Sequence, residues 1–244
     1  TVDKLQALRL YDQYRDLITT APLEIIYSGS AELDRVRQAL AAAFATLPRE
    51  EVRTIADAVP HVCRESVQTV EDEMEVTQGK LGMGFSCGSD DMPALLLGNT
   101  LFGGSSNSKL FLNVREKLSL CYYASSMYHR QKGIITVSSG IEFQNYQRAY
   151  DEILSQLAAV QNGELEEWEL AGARSTLLNS YATVGDSQGK LENFYLGQAA
   201  TGRSETPADL AQAVMEVSAE RICRAMSTVK LDTVYFLKGK EAQA

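Results

Sequence analysis

The sequence predicts an α+β fold, a two-layer α/β sandwich with helices packed on one face of a mixed antiparallel sheet. Three observations lead there. Strand-like runs at 76–88, 121–128, 133–141 and 231–237 are unevenly spaced, and the middle two flank a polar turn as an antiparallel hairpin requires. Long blocks of helical periodicity, at 146–161, 164–182 and 188–201, gather between the hairpin and the last strand. Strict strand-helix alternation, the mark of a doubly wound parallel sheet, is missing.

Taken in chain order, residues 3–19 place Leu5, Leu8, Tyr11 or Asp12, Tyr14 or Arg15, and Ile18 at intervals of three to four, which predicts an amphipathic helix stopped by Thr20-Ala21-Pro22. The apolar run Leu23 to Tyr27 predicts a strand ending at Gly29. Ser30 then reads as the N-cap of a second helix carrying Leu33, Val36, Leu40 and Phe44. One strand cannot make a sheet, so residues 1–47 are expected to be the C-terminal part of a preceding domain whose other strands come from elsewhere. Residues 48–75 are polar without a sustained period and read as a linker. The second domain, 76–244, starts with a strand at 76–88 that puts Leu81, Met83 and Phe85 on one face. Helices follow at 91–102 and 106–118, separated by Gly103-Gly104, and then the hairpin. After it come helices at 146–161, 164–182, 188–201, 206–214 (with Pro207 in its first turn) and 218–228, and a closing strand at 231–237.

Composition excludes several function classes. The 244 residues carry 23 Lys+Arg against 32 Asp+Glu, a formal charge of −9, which argues against nucleic acid because phosphate binding needs a clustered cationic face. No apolar run reaches membrane-spanning length, and the polar start lacks the basic and apolar regions of a signal peptide. A soluble, cytoplasmic protein is therefore expected. Cys63, Cys87, Cys121 and Cys223 form no CxxC pair and read as reduced, buried thiols.

Metal chemistry meets a shortage of ligands. The two histidines, His61 and His129, cannot form an HxxEH motif, and His61-Val62-Cys63 with Glu65 lacks a third convergent donor. Gly84-Phe85-Ser86-Cys87-Gly88 matches the GxSxG of a nucleophile elbow, but no helix begins directly after the serine; small residues under a closely approaching backbone are the simpler reading. Gly103 to Lys109 lacks the glycine before the lysine that a phosphate loop needs. Its glycines read as a helix break, with Ser106 or Ser108 capping the next helix. More informative are Arg115, near the end of a helix, and Tyr122, near the start of the next strand. A short corner can aim both at one volume, where a guanidinium fork and a phenol suit peptide carbonyls or a developing oxyanion. A structural reading stays open beside it: Arg115 paired with Glu116 or a helix-end carbonyl, Tyr122 a half-buried sheet residue.

The order Leu101-Phe102-Gly103-Gly104, Ser108-Lys109-Leu110-Phe111, Val114-Arg115-Glu116-Lys117, Leu120 and Tyr122 resembles the pattern LGGGxxSRLFxxLREKxGLxY of the M16 (insulinase, or pitrilysin-like) metallopeptidases and their inactive relatives. Gln78 with Leu81 to Phe85, and Glu164-Leu165-Glu166 ahead of a long helix, are similar to the segments on either side. The resemblance covers nearly the whole chain and looks closest to a bacterial subgroup lacking the zinc motif. It implies the LuxS/MPP-like metallohydrolase fold and two homologous domains closing on a peptide, one with HxxEH and zinc, the other lending an arginine and a tyrosine. Only the second set finds a match here, as Arg115 and Tyr122, with Ser119 standing where the family often has glycine. The resemblance thus implies a chain without a cofactor of its own. Its partner would be a homologous HxxEH-bearing domain or subunit holding zinc, whose bound water attacks an extended peptide. Tyr122 would donate to the oxyanion, and Arg115 would bind a neighbouring carbonyl or carboxylate. Two other readings remain: a non-catalytic assembly scaffold, or a fragment of an active zinc peptidase whose HxxEH lies outside this sequence.

Overall fold

The structure is a computed structural model that describes residues 4–53 and 64–240. His61 and Cys63 lie outside the described residues. Two compact units are present, one of residues 1–57 and 185–204, the other of residues 58–184 and 205–244.

The smaller unit contains α1 (Ala7–Thr20), α2 (Leu33–Phe44) and α6 (Gln188–Ala200). Its two N-terminal helices form where the apolar spacing predicts. The C-terminal end of α1 is closed by Arg49, whose guanidinium donates to the carbonyls of Ile18 at 2.6 Å and Ala21 at 2.7 Å, a cation placed on the negative end of the helix dipole. Arg53 adds a two-bonded pair with Asp16 at 2.6 and 2.9 Å. The run at 23–28, expected to be a strand, belongs to no sheet among the described residues. An isolated strand has no neighbour to take its backbone bonds. Ser30 is not the N-cap of α2 either; Glu32 holds that position, without a side-chain bond.

The larger unit is built on a five-stranded sheet ordered β1-β5-β2-β4-β3, from β1 (Gln68–Met74), β2 (Gly79–Ser86), β3 (Cys121–His129), β4 (Ile134–Ile141) and β5 (Lys230–Gly239). β1 runs parallel to β5 and all other pairs are antiparallel, giving the mixed sheet that the sequence predicts. β1 corrects the linker reading of 48–75, because residues 68–74 are a strand. All seven of its residues are exposed, so no apolar alternation announces it; three of the seven are acidic. Along β2, Leu81, Met83 and Phe85 are buried and Lys80, Gly82 and Gly84 lie on the opposite face. Ile135, Val137 and Ile141 of β4 and Val234 and Phe236 of β5 complete the buried side.

Helices cover that side. α3 (Met92–Phe102) buries nine of its eleven residues, apolar all round as a helix surrounded by other elements must be. It packs on α4 (Tyr146–Gln161), α5 (Glu167–Ala182), α7 (Pro207–Met215) and α8 (Ala219–Met226). Asp91 caps α3, its Oδ1 accepting from the Ala94 N–H at 3.2 Å, and its carboxylate also receives the Arg221 fork at 2.9 and 3.1 Å. Gly98 lets α8 approach closely, since a Cβ there would stand 2.5 Å from Met226 Cγ. Among the described residues no helix is long and apolar enough to cross a membrane.

Candidate functional site: the Arg115–Tyr122 corner

The segment read as an α-helix from 106 to 118 is a π-helix over Leu110–Lys117. Its wider turn shows in the Leu118 N–H, which reaches the Asn113 carbonyl five residues back at 3.1 Å. Leu110 and Val114 are buried beneath it, and the Asn113 amide donates to Gln156 Oε1 at 2.7 Å, fixing the helix to α4. Arg115 is thereby turned outward. Its guanidinium lies 4.7 Å from the Phe111 ring centroid and 3.5 Å from Glu116 Oε1, with its side chain 40% exposed.

The corner from helix to strand is made by Ser119, at φ +50°. The Ser119 N–H bonds the Arg115 carbonyl and the Leu120 N–H the Val114 carbonyl, closing the helix end. Glycine takes this left-handed conformation without the Cβ penalty that Ser119 carries. Ser119→Gly is expected to raise stability by about 0.5–1 kcal/mol, the relief of left-handed strain exceeding glycine's added chain entropy; urea denaturation reads it.

β3 then begins with a bulge. Cys121 pairs with Ile141 and Tyr123 with Gly140, leaving Tyr122 as the extra residue. Strict alternation would put the two tyrosine rings on opposite faces. The bulge breaks that alternation: Tyr122 is 58% exposed and donates to Glu142 Oε1 at 3.5 Å, while Tyr123 lies over Gly140 with Lys80 Nζ 5.2 Å from its ring.

Arg115 and Tyr122 line one cavity of about 440 Å³, with Glu116, Ser119, Cys121 and Glu142 around them. Arg115 also borders a second cavity of about 520 Å³ that includes Phe111, Tyr123, Met127 and His129. The predicted pair is thus brought together, and Tyr123 stands on the other side of the same arginine. Glu142 and Phe111 were not foreseen. Glu142 could be found only after Cys121 is paired with Ile141, which places the next residue beside the bulge.

The other motifs resolve as structure. Ser86 of the GxSxG match is buried within β2, and α3 starts only at Met92. Gly103 allows contact with β3: the Ser126 N–H donates to its carbonyl at 2.9 Å, and a Cβ there would meet the Ser126 nitrogen at 2.7 Å. The expected capping serine is only loosely present, Ser108 Oγ accepting from the Phe111 N–H at 3.4 Å. Lys109 is buried in an ion pair, its Nζ 3.0 Å from both Glu169 oxygens, and is not a free phosphate ligand. That pair lines a polar cavity of about 910 Å³ on the helical side, to which neither Arg115 nor Tyr122 contributes.

Two cysteines of the larger unit are held as thiols. Burial pushes the Cys121 thiol up, more than nearby Arg115 pulls it down, and burial pushes Cys87 up to about 12. A raised thiol stays protonated at neutral pH, so both cysteines are expected to resist iodoacetamide at pH 8 until the chain is unfolded. Mass spectrometry of the alkylated peptides checks this. Among the described residues no three His, Cys, Asp or Glu side chains converge to hold a metal, and His129 Nε2 is engaged by Thr136 Oγ1 at 2.9 Å. The described donors do not fit zinc.

A mixed five-stranded sheet covered on one side by helices, with this helix-to-strand corner, defines an α+β two-layer sandwich domain. Residues 4–177 match the family model described as the Peptidase M16 inactive domain, and the chain belongs to that family. It is 37% identical to the Bacillus subtilis protein YmfF, described as a probable inactive metalloprotease, over 98% of this chain and 57% of that protein. A conserved protein of Enterococcus faecalis has a solved structure with TM-score 0.85 at 26% identity, over 99% of this chain and 58% of the other. The peptidase M16 inactive domain from Pseudomonas fluorescens aligns with TM-score 0.71 at 16% identity, over 88% of this chain and 53% of that one, a likeness of fold. The chain spans little more than half the length of these relatives.

Proposed function

We propose that this chain is the non-zinc half of a two-part M16-type peptidase, presenting Arg115 and Tyr122 to an extended peptide held against a partner domain that carries the zinc. The observation that carries this reading is the single cavity that both side chains line. Zinc and the water it activates would belong to the partner; the residues of this chain bind and orient. The Tyr122 phenol points a donor at a carbonyl oxygen as negative charge develops there. Releasing it from Glu142 costs little, because 3.5 Å is at the outer limit of a hydrogen bond. The Arg115 fork grips a second carbonyl or a carboxylate through paired N–H bonds.

A scaffold role is favoured by one observation: Arg115 and Tyr122 both have partners within the chain, Glu116 and Glu142. Reconstitution with an HxxEH-bearing homologue separates the two readings. Under the peptidase reading, Arg115→Ala/Tyr122→Phe abolishes turnover of a quenched peptide and leaves the assembly intact. Under the scaffold reading, turnover is unchanged.

A further inference from the structure

Three strands of the larger unit bring a lysine without a counter-ion to the open face of the sheet, the face turned away from the helices. Gly140 of β4 pairs with Lys80 of β2 on one side and with Tyr123 of β3 on the other. Having no side chain, Gly140 leaves the space above it to its neighbours: a Cβ there would stand 2.5 Å from Tyr123 Cε1 and 3.2 Å from Gln78 Cδ. The Tyr123 ring fills that space. Lys80 Nζ lies 5.2 Å from the ring centroid and donates to Gln78 Oε1, so a ring and an amide, both neutral, hold the ammonium in place. Other cations of this unit are neutralised, Lys109 by Glu169, Arg221 by Asp91, and Lys238 by Glu71 and Glu73. Around Lys80, among the described residues, no carboxylate comes within ion-pair distance. Its charge and the ammonium protons that Gln78 does not take are left for a ligand.

We infer that Lys80 determines specificity at the peptide site, selecting an extended peptide that carries a carboxylate where its chain passes Tyr123. The inference rests on the reading that this chain binds a peptide at the Arg115–Tyr122 corner, and it names a chemical class for that peptide. Tyr123 and Arg115 border the same cavity of about 520 Å³, and Ser125, Thr136 and Ser138 line it with short side chains. A peptide gripped by Arg115 and lying over them therefore passes the ring that carries Lys80. A carboxylate there accepts charge-assisted bonds from the ammonium. Because Gln78 and Tyr123 already hold the lysine, little side-chain freedom is lost when the pair forms. Net charge works in the opposite direction: at −9 the chain as a whole repels acidic peptides, so a preference for one has to come from a local cation.

Fluorescence anisotropy on the purified chain tests it, with labelled peptides of one parent sequence in three forms. The first has no carboxylate, with glutamine in place of glutamate and an amidated C-terminus. The second carries one glutamate, moved residue by residue along the amidated peptide, and the third has glutamine throughout but a free C-terminus. The best glutamate peptide or the free C-terminus is expected to bind about 5-fold tighter than the carboxylate-free form. Which of the two gains tells a side-chain carboxylate from a chain end. Lys80→Met should erase the preference and Lys80→Arg should keep it, whereas Lys238→Met, which removes a lysine already paired, should leave it unchanged. Equal binding of all three forms, no binding of any, or a preference that survives Lys80→Met overturns the inference. Turnover with an HxxEH-bearing homologue is read separately. Cleavage without a carboxylate preference contradicts the role of Lys80 alone, and a Lys80-dependent preference without cleavage contradicts the peptidase reading alone.

Discussion

Lys109→Met is expected to lower the stability of the chain by about 3–5 kcal/mol, the cost of leaving one member of a buried ion pair unpaired. Lys109 Nζ stands 3.0 Å from both oxygens of Glu169, and the two side chains are only 9% and 7% exposed. The carboxylate left behind would keep one other bond, from the Glu166 N–H at 2.9 Å, which closes the capping box of α5. Replacing both members, as Lys109→Met/Glu169→Leu, should recover most of the loss, because two apolar side chains of similar volume remove both desolvation costs together. About 1 kcal/mol should remain from the broken cap. Denaturant unfolding of the two variants decides the matter: a single variant as stable as the parent would mean that water reaches Glu169 and solvates it. The pair also has a positional consequence. Lys109 immediately precedes the π-helix, so its tie to α5 fixes the start of the element that carries Arg115.

At the corner itself the expected effects are kinetic. In a complex reconstituted with a zinc-bearing homologue, Tyr122→Phe should reduce turnover about 10²–10³-fold with little change in KM, the usual cost of removing one donor to an oxyanion. Arg115→Ala should raise KM, because its fork acts on the bound peptide before and during reaction alike. Both side chains are substantially exposed, so their removal should change stability by no more than about 0.5 kcal/mol, and lost activity could not be ascribed to unfolding. Steady-state kinetics beside a denaturation curve supplies both readouts. A Tyr123→Phe variant is a useful companion, since that ring lies across Gly140 in the neighbouring cavity and should affect turnover far less.

Much of the fold was legible because its elements have one wet and one dry side. β2 announces itself through Leu81, Met83 and Phe85, and α4 begins and ends where its periodicity does, at Tyr146 and Gln161. β1 was hidden because it is exposed along its whole length and pairs with β5 through backbone bonds that leave no trace in residue type. The run 23–28 shows the converse, a strand-like pattern with no ladder among the described residues to complete it. At the corner, the spacing of Arg115 and Tyr122 was readable. The geometry that unites them was not: the π-turn, the left-handed Ser119 and the bulge at Tyr122 are each departures by a single residue from a regular period. Periodicity averages over several residues and cannot register such shifts.

Titration of the purified chain into an HxxEH-bearing M16 homologue, with cleavage of a quenched peptide as the readout, bears on the proposed division of labour without any mutation. A two-part site predicts little cleavage by either protein alone, zinc present throughout, and a rise that saturates at one chain per homologue. Full activity of the homologue alone, unchanged by adding this chain, would contradict it.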